Sequence, residues 1–191
     1  MTGLAEGLKQ LIGALDRLHI GYMVGGSLAS SIHGVARATR DIDLVADIKK
    51  EHIAPLAAAL GPEFYADPEM MEQALLTGRP FNLIHYASSY KFDVFPLPRE
   101  PYYQVEFARR RTAEYSLEGQ VALKFYVVSP EDAVLTKLVW YRSGKEVSEQ
   151  QWSDVLDVVR VKGELLDLTY LRQWAGPLGV AELLEKALEG R

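Results

Sequence analysis

Cysteine is absent from this chain of 191 residues. That absence removes disulfides, thiolate zinc sites and thiol nucleophiles together, and it makes the cytosol the expected compartment. An excess of positive charge is missing too: 21 Lys and Arg stand against 26 Asp and Glu, for a net charge of −5. Wholesale coating of nucleic acid is therefore not expected, and any such contact is confined to a local patch. Long hydrophobic runs are lacking. The most apolar early stretch is interrupted by Glu6, Lys9 and Asp16, and Ile53–Leu60 is far too short to span a bilayer, so neither a signal peptide nor a membrane helix is expected. No Gly-Lys-Ser/Thr and no Gly-x-Gly-x-x-Gly follows a predicted strand, which sets aside the nucleotide folds built on those loops. Internal repeats, low-complexity tracts and long linkers are also missing.

What is present is ordinary globular material, with 48% hydrophobic and 25% charged residues. A chain of this length buries roughly 70% of its unfolded surface and needs no staples. Leu4, Leu8, Leu11, Ile12, Leu15 and Leu18 follow helical spacing after Thr2, a possible cap. Gly21 breaks this helix, and Tyr22–Val24 reads as a short buried strand. Gly25-Gly26-Ser27 turns into a second helix ending near His33. Asp41–Ala46 alternates acid and aliphatic residues, the mark of a strand with two different faces. Helices are predicted over 50–60 and 68–77, stopped by Gly61-Pro62 and Gly78. Phe81–Tyr86 and Tyr90–Phe95 read as a hairpin joined by Ala87-Ser88-Ser89. A less defined segment near Tyr103–Arg110 precedes candidate strands Thr112–Leu117 and Val121–Val128, with Gly119 at their turn. From Ser129 the pattern is helical only, opening with Ser129-Pro130-Glu131-Asp132, a cap, a first-turn proline and acids in the first turn. Further helices fit 148–160, 168–174 and 180–188. The expected organisation is an α/β core over 1–128 and a helical C-terminal part over 129–191, packed on that core.

Chemistry concentrates in Val24-Gly25-Gly26-Ser27 and, thirteen residues later, Asp41-Ile42-Asp43-Leu44. On a strand, Asp41 and Asp43 project from one face while Ile42 and Leu44 enter the core. Two carboxylates held that close repel unless a cation lies between them. Mg²⁺ is the natural cation, hard and oxygen-liganded, and commonly shared with substrate phosphates. The glycines let backbone approach an anion, the amides of the following helix attract it, and Ser27 adds a hydroxyl. In Lys91-Phe92-Asp93-Val94-Phe95, Asp93 points away from Phe92 and Val94. If this strand neighbours Asp41–Ala46, Asp93 completes a three-carboxylate cluster able to hold two metal ions.

The Gly-Gly-Ser turn, the spacer, the Asp-hydrophobic-Asp-hydrophobic strand and the later strand Asp resemble the nucleotidyltransferase superfamily that includes DNA polymerase β. Arg40, immediately before the acid pair, resembles the branch of small bacterial nucleotidyltransferases that contains abortive-infection-type toxins, antibiotic-modifying adenylyltransferases and uncharacterised members. Ser129-Pro130-Glu131-Asp132 followed by Lys137, and Ser148-Glu149-Gln150-Gln151-Trp152-Ser153-Asp154, resemble later motifs of the same branch. The resemblance implies an α+β fold, a mixed sheet flanked by helices with a helical C-terminal part. It implies two Mg²⁺ ions and a nucleoside triphosphate as substrate, with the nucleoside monophosphate passing to an acceptor hydroxyl on RNA or protein. Asp41, Asp43 and Asp93 would be the catalytic metal ligands, with Asp93 also helping to deprotonate the acceptor. Gly25, Gly26, Ser27, Arg40, Lys137 and Asp154 would bind the nucleotide. A small-molecule adenylyltransferase of the antibiotic-modifying kind, and a non-catalytic nucleotide-binding partner of toxin–antitoxin type, are the alternatives. The sequence leaves the acceptor, the preferred nucleotide and the oligomeric state open.

Other polar features read more plainly. Arg109-Arg110-Arg111 is the one basic run, a solvated charge cluster or a contact for acceptor RNA phosphates. His19, His33, His52 and His85 lack metal-ligand spacing and read as structural. Trp140, Trp152 and Trp174 fall at helical positions and read as core.

Overall fold

A computed structural model describes residues 3–39, 41–115 and 122–189. Thr2, Arg40 and Gly119 lie outside the described residues. The chain groups into two compact units, the first of Met1–Val24 and Thr39–Val127, the second of Gly25–Ala38 and Val128–Arg191.

The first unit is built on a mixed sheet. Its strands are β1 (Tyr22–Val24), β2 (Asp41–Ala46), β3 (Phe64–Tyr65), β4 (Phe81–His85), β5 (Tyr90–Pro96), β6 (Arg111–Tyr115) and β7 (Leu123–Val127). They lie side by side in the order β3-β4-β5-β2-β1-β7-β6. β2 runs antiparallel to β1 and parallel to β5, and β4 and β5 form the expected hairpin. Alternation sets what each strand buries: Ile42, Leu44, Phe92 and Val94 are all buried on one side. Each such side chain contributes roughly 1.5–3 kcal/mol relative to exposure. The intervening residues Asp41, Asp43, Lys91 and Asp93 are thereby forced onto the opposite face.

Helix α1 (Gly3–Arg17) covers the sheet with Leu8, Leu11 and Leu15 and packs on α3 (Lys50–Leu60). Helix α4 (Pro68–Thr77) is capped by Asp67, whose carboxylate accepts from the Glu69 and Met70 amides, and it ends at Gly78 in the left-handed conformation. Residues Pro101–Ala108 form helix α5. Pro101 at its first position supplies the preset φ that starts it.

The second unit is helical: α2 (Gly26–His33), α6 (Pro130–Ser143), α7 (Glu149–Lys162), α8 (Leu168–Ala175) and α9 (Ala181–Glu189). Helix α2 packs on α6 and α7. Its last residue, His33, is buried with Nε2 2.7 Å from the Val128 carbonyl, a satisfied structural histidine. Gly34 ends α2 so close to α7 that a Cβ there would stand 2.9 Å from the Val158 backbone nitrogen. At the start of α6 the Ser129 hydroxyl accepts from the Asp132 amide and donates to one Asp132 oxygen, while the Tyr170 hydroxyl donates to the other at 2.6 Å. A buried acid is thus fully satisfied and joins α6 to α8.

The architecture is α+β, a mixed sheet flanked by helices with a helical C-terminal part. Among the described residues, no helix is long and apolar enough to cross a membrane.

Candidate active site

β2 and β5 align with Asp43 opposite Asp93 and Asp41 opposite Lys91. In a parallel pair, residues in register share a face and their strands lie about 4.8 Å apart. The three acids and Lys91 are therefore neighbours on one face of the sheet. β4 extends the row, since Asn82 pairs with Asp93 and Ile84 with Lys91. Asp93 is half-enclosed, its side chain 17% exposed, whereas Asp41 is open to solvent.

Lys91 neutralises part of this face. Its Nζ lies 2.8 Å from Asp93 Oδ2 and 3.8 Å from Asp41 Oδ1. The hydrogen bond to Asp93 holds the ammonium above its ordinary value; partial burial opposes this, and the charges of Asp93, Asp41 and Asp43 reinforce it. An all-carboxylate donor set suits a hard divalent ion such as Mg²⁺. Among the described residues, no three His, Asp or Glu side chains are yet gathered closely enough to ligate one ion. The cation at Asp93 is the chain's own Lys91 ammonium.

In the second unit, the predicted turn opens α2. Gly25 is the N-cap, no side chain caps the first turn, and Gly26 has φ 55. That φ lies in the left-handed region, which glycine enters without steric cost. A second cluster forms around Asp154, which is buried. Arg37 donates from Nε to Oδ1 and from Nη2 to Oδ2, both at 2.9 Å. Arg37 Nη2 also donates to Ser27 Oγ at 2.7 Å. Lys137, itself buried, donates to Asp154 Oδ2 at 2.7 Å, and Gln150 donates to Oδ1 at 3.0 Å. Burial pushes the Asp154 carboxyl up, but the bonds from Arg37, Lys137 and Gln150 outweigh it and hold the group below its ordinary value. Two cations share one carboxylate, so the triad is net positive beside Ser27 and the open amides of α2. Such a cluster attracts an anion.

Among the predicted residues, Asp41, Asp43 and Asp93 are thus brought together, as are Ser27, Lys137 and Asp154. Arg40 lies outside the described residues. Arg37, Lys91 and Asn82 join these clusters without having been singled out. Lys91 had a legible signal, because a residue two before Asp93 on a strand must share its face. Asn82 follows from the hairpin register. Arg37 sits in the segment after α2, where no periodicity marks it. The basic run is partly spent internally: Arg110 donates to the Phe107 carbonyl and lies over the Phe107 and Tyr126 rings.

The family model described as a nucleotidyltransferase of unknown function matches residues 1–176. The chain belongs to that family. Membership in this nucleotidyltransferase family makes it an enzyme of the nucleotidyltransferase type, one whose substrates include a nucleotide. No curated protein matches the sequence. Among solved structures, the antibiotic-resistance factor ANT(2″)-Ia in solution is similar over 97% of this chain and 99% of its own, at 15% identity and TM-score 0.54. The crystal structure of ANT(2″)-Ia with adenylyl-2″-tobramycin is similar over 92% and 98% of the two chains, at 16% identity and TM-score 0.54. A nucleotidyltransferase-like antigenic protein from Paracoccidioides brasiliensis matches over 100% and 95%, at 18% identity and TM-score 0.49. At these identities the likeness to ANT(2″)-Ia is one of fold.

Proposed function

We propose that this family member moves a nucleoside monophosphate from a nucleoside triphosphate to an acceptor hydroxyl, using Mg²⁺ held by Asp41, Asp43 and Asp93. The observation that carries the reading is the register of β2 and β5, which sets Asp43 beside Asp93 with Asp41 on the same face. When bound, Mg²⁺ ions would offset charge on the attacking and leaving oxygens. Asp41 and Asp43 of β2 and Asp93 of β5 would supply their ligands. Lys137, Arg37, the Ser27 hydroxyl and the α2 amides supply positive and polar donors for the phosphates. Asp154 orients Lys137 and Arg37 rather than touching substrate. In the transfer, the acceptor oxygen bonds to the α-phosphorus while the bond from that phosphorus to the pyrophosphate oxygen breaks. The hydroxyl proton passes to Asp93, and pyrophosphate leaves. Positioning and electrostatics carry the rate, with no covalent enzyme intermediate.

An acceptor on RNA or protein is the principal reading. The fold it shares with ANT(2″)-Ia, seen with adenylyl-2″-tobramycin, favours a small-molecule hydroxyl as the second. One experiment separates them. The protein and its Asp41→Asn/Asp43→Asn variant are incubated with α-labelled nucleotides, Mg²⁺ and either a bacterial lysate or a panel of aminoglycosides and lincosamides. Label in a nuclease- or protease-sensitive fraction, lost in the variant, supports a macromolecular acceptor. Label on a small molecule supports the second reading. Transfer that survives in the variant overturns the role given to the acids.

A further inference from the structure

The Lys91 ammonium lies where a metal ion would have to bind. Its Nζ is 2.8 Å from Asp93 and 3.8 Å from Asp41, and Asp43 stands opposite Asp93 in register. On the β4 side its register partner is Ile84, which is apolar, so the carboxylates beside it are those of β2 and β5. The Lys91 side chain is 38% exposed, so solvent lies open beside the ammonium.

Charge counting shows what this placement does. Lys91 already offsets part of the carboxylate charge that a divalent ion would need. A divalent ion entering there would meet the ammonium as well as the acids. The phosphates of a nucleotide would restore the balance. Like charges a few ångströms apart repel even in high dielectric. We propose that Lys91 is a built-in competitor of the divalent cation, keeping the acidic face lightly metallated until a nucleotide brings the ion in. The inference rests on the metal reading of Asp41, Asp43 and Asp93.

Mn²⁺ titrated into the full chain without nucleotide, followed by electron paramagnetic resonance of the free ion, is the test. Lys91→Met and Lys91→Gln should bind Mn²⁺ about tenfold more tightly than the wild type, whereas Lys91→Arg should stay near it. Adding a non-hydrolysable ATP analogue should narrow the gap, because the phosphates then offset the lysine. The melting temperature of each variant without metal confirms that it is folded. Equal or weaker Mn²⁺ binding by folded Lys91→Met and Lys91→Gln overturns this inference and leaves the proposed function standing. Absence of saturable binding in every protein, or binding unmoved by Asp43→Asn, overturns both.

Discussion

Arg37 and Asp154, separated by 117 positions in the chain, meet as a planar fork on a carboxylate, with two parallel bonds of 2.9 Å. The same guanidinium reaches Ser27. A single side chain from the segment after α2 thereby links the hydroxyl of the predicted phosphate turn to the acid that also holds Lys137.

Replacing Arg37 should weaken nucleotide binding even where the fold survives. Arg37→Ala leaves the Ser27 hydroxyl unheld and removes one positive charge from the cluster. Arg37→Lys should rescue poorly, since an ammonium cannot span both oxygens and the hydroxyl. Titration of a fluorescent ATP analogue should show roughly tenfold weaker binding for both, the scale of a lost charge-assisted bond. Wild-type affinity in Arg37→Ala would remove Arg37 from the phosphate site.

Asp154 should dominate the acid limb of stability. Its folded pKa lies below the ordinary 3.8, so the native state binds the proton less readily than the unfolded chain. The resulting stability is complete above the ordinary value and is lost as pH falls through the folded one. Asp154→Asn should cost about 3 kcal/mol at neutral pH by leaving Lys137 buried beside a neutral amide. Melting temperature followed from pH 7 to below 3.8 should fall less steeply in the variant than in the wild type.

The acidic face should behave oppositely. Three carboxylates on two adjacent strands repel, so Asp43→Asn should leave the metal-free melting temperature unchanged or slightly raised while transfer falls by roughly 10²–10³-fold. Calorimetry in the presence of a non-hydrolysable ATP analogue, with and without Mg²⁺, should show that metal stabilises the wild type and not the variant. A strongly destabilised Asp43→Asn would show that the carboxylate serves folding instead.

Gly34 and Gly26 should respond differently to alanine. At Gly34 a methyl would meet the α7 backbone at 2.9 Å, and overpacking of that kind costs about 1–3 kcal/mol. At Gly26 the obstacle is conformational, φ 55, a cost of about 1–2 kcal/mol. Denaturant melts should therefore show both losses, with Gly26→Ala also weakening nucleotide binding because the turn must move.

The acidic face of the sheet was legible because strand alternation is a local rule. Asp41, Asp43 and Asp93 follow from residue parity, and the Ala87-Ser88-Ser89 hairpin orders β4 and β5. The Asp154 cluster was legible only in part. Lys137 reads as a solvated lysine on helical periodicity, yet it is buried, because its partner comes from another helix. Arg37 carries no local signal at all, since nothing in an irregular segment tells which distant acid it will meet. The apolar positions of Tyr103–Arg110 fit neither period well, and the start signal of this helix is Pro101, just upstream. The two-residue β3 is too short to leave a pattern.

Helix α2 lies in sequence between β1 and β2, strands of one unit, yet takes its packing partners from helices that begin a hundred residues later. The chain thus changes unit at Val24, returns at Thr39, and crosses again at Val127. A recombination joint near residue 128 would pass on the strands together with a helix stripped of its neighbours, His33 facing no carbonyl and Gly34 pressed against nothing. A cut at the one place where the pattern turns wholly helical would therefore split the second unit, whose helices come from both sides of it.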